Sequence, residues 1–100
     1  MATAQEIEER TAAYARSLMG DDWSLIEADA AESFRPHLGT LVAALPMPLR
    51  SVDVKHIWRS GPEWHIETEV TGDEGARVLL LRYLDGSPPQ ILGGGVRSLS

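Results

Sequence analysis

The chain has 100 residues, no cysteine, and nine Lys+Arg against fifteen Asp+Glu, a formal net charge of −6. That is the length and composition of one globular domain with little core to spare, without disulfides, thiolate chemistry or cysteine-held zinc. The negative charge repels a phosphate backbone and no run nears the roughly 18 apolar residues of a membrane span, so neither nucleic acid nor membrane is expected as a partner.

Thr3-Ala4-Gln5-Glu6 fits a capping box, in which the Thr3 hydroxyl accepts from the Glu6 amide. Ile7, Tyr14 and Leu18 recur at helical spacing and Gly20 ends the pattern, which predicts a first helix over about residues 4–19. A second capping box at Ser24–Glu27, with Asp22 as an alternative cap, opens a helix over about 24–34, whose inner face is Trp23, Ile26, Ala30 and Phe34. Pro36 suits the first turn of a third helix, over about 36–45, and Pro46-Met47-Pro48 stops it.

From Ser51 the period changes from 3.6 to 2. Strands are expected over about 51–59, 63–71, 76–84 and 90–97, separated by Ser60-Gly61-Pro62, Thr71–Gly75 and Asp85–Pro89, with Gly93-Gly94-Gly95 loosening the last one. Helices followed by closely spaced strands predict an α+β fold, N-terminal helices packed on an antiparallel β-meander.

Centring the first hairpin on Gly61 sets Trp58 opposite Trp64, Lys55 opposite Glu67 and Arg59 opposite Glu63. Centring the second on Asp73 sets Glu69 opposite Arg77 and Ile66 opposite Leu80. Both choices bring together opposite charges and large apolar groups, which stabilise sheets. In this register His56, Trp58, Trp64, Ile66, Thr68, Val70, Val78, Leu80, Arg82 and Leu84 face the helices. The apolar strip Ile57, Leu79, Leu81 and Tyr83 then lies on the outer face, among charges, as the contact for a second copy of the chain.

His56 is the candidate catalytic group: an imidazole on an apolar face can move a proton near neutral pH, and a core histidine bonded to a carbonyl is the plainer alternative. Arg82 could anchor an anionic group, Trp58 and Trp64 could grip a ring, and Tyr14 could supply a phenolic donor. For each of these, packing is the competing explanation. Asp53 is expected on the opposite strand face from His56. His37, His56 and His65 match no metal-ligand spacing, with His56 and His65 expected on opposite faces, and the glycine run lacks the Lys-Ser/Thr of a phosphate loop, so neither metal nor cofactor is expected.

Three stretches, Tyr14–Trp23, Leu45–Val54 and Leu81–Ile91, resemble the NTF2-like superfamily: its first helix and Gly-Asp turn, the lead-in to its sheet, and a late strand–turn–strand. The last two are most similar to small NTF2-like domains that accompany hydrolases in bacteria, and the chain as a whole resembles a small bacterial member of this SnoaL/ketosteroid-isomerase-like superfamily. Eight arginines to one lysine, with eleven alanines, also point to a GC-rich bacterial genome. The resemblance implies a cone-shaped fold in which a curved antiparallel sheet, as in cystatin-like folds, wraps around the helices, and dimerisation through the sheet. The chain is shorter than most members, and the tyrosine and paired aspartates of the steroid isomerases have no counterpart in it, so no catalytic residue is carried over. The expected function is a dimerisation or accessory domain with an apolar small-molecule pocket. An isomerase, cyclase or epoxide hydrolase using His56 is the alternative, and an acidic immunity-like binding protein a third. The polar, acidic start MATAQEIEER is unlike a signal peptide, which makes the cytoplasm the expected location.

Overall fold

The computed structural model describes residues 3–86 and 88–98. Three α-helices, α1 (Ala4–Met19), α2 (Ser24–Asp29) and α3 (Leu38–Ala43), precede four strands, β1 (Leu49–Ser60), β2 (Glu63–Gly72), β3 (Gly75–Leu84) and β4 (Gln90–Ser98). The strands form one curved antiparallel sheet in the order β1-β2-β3-β4, so the fold is α+β with the helices on one face. Ser87, in the expected turn Asp85–Pro89, lies outside the described residues.

Thr3 caps α1 as its sequence requires, its hydroxyl accepting from the Glu6 amide at 3.2 Å. At α2 the N-cap position is Trp23, with no side-chain cap bond, and Asp22 just before it accepts from the Ser24 amide at 2.9 Å and the Ser24 hydroxyl at 2.7 Å. This helix stops five residues earlier than expected. Ala30 turns extended, and the Ala31 amide donates to the Ile91 carbonyl at 2.8 Å, so pairing with β4 displaces the last helical turn. Pro36 sits in a short 3-10 turn, Arg35–His37, that leads into α3. The lead-in to β1 crosses the end of β2. A Cβ built on Gly72 would stand 1.6 Å from the Pro46 carbonyl oxygen, so only glycine fits there; the Met47–Pro48 peptide is cis.

The hairpin registers differ from those expected. Both tight turns hold two residues, Gly61-Pro62 between Ser60 and Glu63, and Asp73-Glu74 between Gly72 and Gly75. Two-residue turns are the favoured hairpin links, and Gly61 supplies the positive φ, +60°, at the first position. Strand β3 is thereby moved one place: Ile66 faces Leu81 rather than Leu80, and Glu69 faces Val78 rather than Arg77. In β1 the expected register holds from Ser51 to Val54, and then a bulge at Lys55 shifts the rest, so Trp58 faces His65 and Arg59 faces Trp64.

A one-place shift turns side chains over. Leu79, Leu81 and Tyr83 therefore lie in the core, at 4%, 2% and 0% exposure, and Ile57 packs against that core, so none of the four expected contact residues is on the outer face. His56, Trp58, Val78, Leu80, Arg82 and Leu84 take the outer face instead. Strand β2 is oriented as expected, with Ile66, Thr68 and Val70 buried under the helices. The same bulge puts Asp53, His56 and His65 on one face, where opposite faces had been expected.

Candidate surface site around the glycine run

The outer face is built in rows across the strands. One row runs Trp58, His65, Arg82, Gly93, and the next His56, Glu67, Leu80, Gly95. Trp58 stacks on His65 with ring centres 5.0 Å apart and planes 7° apart, and His56 leans on Trp58 at the same centre distance. Around them the charges are paired. Arg82 lies 3.6 Å from Glu63, Arg97 3.2 Å from Glu67, and Lys55 2.7 Å from Asp53 and 3.6 Å from Glu69. Asp53 first, then Glu69, hold the Lys55 ammonium above its ordinary pKa.

The glycines make room. A Cβ on Gly94 would meet the Leu80 carbonyl oxygen at 2.6 Å and the Leu81 side chain at 2.9 Å, so the core closes against bare backbone at this point. On Gly93 it would meet the Arg82 guanidinium at 3.0 Å, which lies across that residue, and on Gly95 it would meet nothing within 4 Å. The space over Gly95 opens into a shallow hollow of about 380 Å³ bounded by Trp58, His65, Leu80 and Arg82. A second hollow, about 580 Å³, lies beside the edge of β4, between its backbone and Phe34, His37, Thr40, Leu41 and Ala44, and Arg82 borders it as well as the first. Among the described residues, no carboxylate lines either one.

The structure separates the expected site residues. His56, Trp58 and Arg82 share the outer face, with His56 exposed. Trp64 is on the inner side, half-buried, with the Arg59 guanidinium 5.4 Å from its ring centre. Tyr14 is buried between α1 and the sheet, where its hydroxyl donates to Asp29 at 2.5 Å. Arg10 bonds the same carboxylate oxygen at 2.8 Å, and Thr11 bonds the Tyr83 hydroxyl at 2.8 Å. Burial pushes both phenols well above the ordinary tyrosine pKa, so neither is a ready proton donor at neutral pH, and this network ties helix to sheet.

Sequence reasoning passed over His65, Leu80 and Gly95. The signal for them was present: two-residue turns move His65 beside Trp58 and leave Leu80 outside. The arrangement offers flat aromatic surfaces, apolar contact and paired cations, all open to solvent, rather than an enclosed cleft with an oriented base. Among the described residues no three His, Asp or Glu are grouped to hold a metal ion, and no helix is long and apolar enough to cross a membrane. Comparison of the chain with family models, with characterised proteins and with solved structures gives no match.

Proposed function

We propose that the chain is a non-catalytic module that associates with a second copy of itself through the outer face of its sheet. This keeps the dimerising role expected from the sequence and moves it to other residues: Trp58, Val78, Leu80 and Leu84 in place of Ile57, Leu79, Leu81 and Tyr83. We also assign the curved sheet and its helices to the NTF2-like cone, on the order of elements and the three stretches quoted above.

The observation that carries the reading is the segregation of charge. Residues 1–48 hold eight carboxylates against three arginines, while residues 49–100 hold seven against six basic groups. Two copies meeting through their helical layers would repel, whereas the outer sheet face is ion-paired and has an apolar band across it. Four strands about 4.8 Å apart and about ten residues long, at roughly 3.3 Å each, present a face on the order of 600 Å² in projection. That is comparable with the roughly 800 Å² per partner of a standard interface.

Sedimentation equilibrium tests the proposal. The natural chain should sediment with the mass of a dimer, and Leu80→Glu, at a half-buried position, should give a folded monomer with unchanged far-ultraviolet dichroism. A natural chain that stays monomeric at high concentration, or a Leu80→Glu variant of unchanged mass, would overturn it.

A further inference from the structure

The sheet has two edges, and they are built differently. On β1, the bulges at Arg50 and Lys55 interrupt the ladder and carry charged side chains, two of the devices that keep an edge from pairing. On β4, the bulge at Leu92 is followed by six residues, Gly93–Ser98, in unbroken register with β3, three of them glycine and one charged.

The position beside β4 is begun by the chain's own backbone and then vacated. Ala30 forms a single parallel bridge to Ile91, after which the chain turns away at Ala31 toward α3. Ahead of that bridge lies the larger hollow, floored by Phe34 and Leu41 and rimmed by His37 and Thr40. Among the described residues no backbone hydrogen bond reaches β4 on this side beyond Ile91.

We propose that this vacant position binds an extended peptide segment of another protein, which adds a fifth strand against Gly93–Ser98. Main-chain bonds would supply the pairing, as in other strand-addition complexes, and alternate side chains would supply the selection. Those on the inner side enter the hollow over Phe34 and Leu41 and should be large and apolar. Those on the outer side pass Arg82, which lies across Gly93 and 3.6 Å from Glu63, and Arg97, 3.2 Å from Glu67; acidic residues there would share these two guanidinium groups with their present partners. Among the described residues no carboxylate lines the hollow, in a chain of charge −6, which favours the same partner. The partner is therefore a segment in which apolar and acidic residues alternate.

The test is selection from a displayed library of short random peptides on the full chain, followed by amide NMR with the enriched peptides. Enriched sequences should alternate apolar and acidic residues, and shifts on binding should centre on Gly93–Ser98 and on Phe34 to Leu41. The double variant His37→Glu, Thr40→Glu alters two exposed side chains on the helical rim and should weaken binding about tenfold or more, by setting carboxylates beside the segment's apolar side chains and adding negative charge against an acidic ligand. Leu80→Glu, the variant that tests self-association, should leave peptide binding intact, so each idea can fail without the other. Failure to enrich any sequence, enriched sequences without the alternation, or shifts confined to the Trp58 hollow would overturn the proposal. So would concentration-dependent protection of the β4 amides in the free protein, which would assign this edge to a second copy.

Discussion

The hydroxyl of Tyr83, on a fully buried ring in β3, stands 2.8 Å from the hydroxyl of Thr11 in α1. Thr11 also donates to the Ile7 carbonyl at 2.9 Å, so the pair leaves the polar tip of the largest fully buried side chain satisfied. Because the contact spans 72 positions, it also fixes which face of β3 meets the helix. Tyr83→Phe should lower stability by about 1 kcal/mol, and Thr11→Val by a similar amount or more because it strips a buried phenol of its partner. A double-mutant cycle by urea unfolding should return a coupling of about 0.5–1.5 kcal/mol, and additive losses would show that the two hydroxyls act separately.

The two buried phenols make stability fall in alkali. In the folded chain both are held above the ordinary value, by burial first and, for Tyr14, also by Tyr83 and Asp29. The unfolded chain gives up these protons near pH 10, so the stabilisation is fully present below about pH 10 and is lost as pH rises above it. Each phenol steepens the decline by about 1.4 kcal/mol per pH unit. Unfolding curves taken across that range should slope less steeply in Tyr83→Phe than in the natural chain.

Neighbouring leucines on β3 should behave oppositely. Leu81 is 2% exposed and Leu80 is half-buried on the outer face. Leu81→Ala should cost about 2–5 kcal/mol, while Leu80→Ala in the dissociated chain should cost under about 1 kcal/mol. Equal losses in dilute thermal unfolding would contradict the register.

Gly72→Ala should be among the most damaging single changes, because the added carbon has nowhere to go but into the Pro46 carbonyl. A loss of about 3 kcal/mol or more is expected from denaturant midpoints. A loss under about 1 kcal/mol would show that the segment from Pro46 to Pro48 moves aside easily.

The order of elements and their ends within a few residues were legible in the sequence, because the change from a 3.6 to a 2 period at Ser51 is sharp. The side of the sheet was less legible. Cross-strand ion pairs such as Glu69 with Arg77 favour the wrong register by roughly 0.2–1 kcal/mol each, whereas burying Leu79 or Leu81 is worth roughly 1.5–3 kcal/mol. Weighed by magnitude, the apolar residues decide. A supposed inner face holding both His56 and Arg82 was itself a sign of the slip. The bulge at Lys55 had no local marker, since nothing in Val54-Lys55-His56 departs from alternation, and it is what brings Asp53 onto the face of His56.

The unequal edges have a consequence for how large any assembly can grow. Open-ended strand polymers need each unit to offer one free edge and accept on another. Here β1 is blunted by its two bulges, so two copies paired through β4 would present only blunted β1 edges, with nothing to template a further copy. The molecule is a chain stopper in its own polymerisation, and concentrated solutions should scatter as discrete particles, never as fibres.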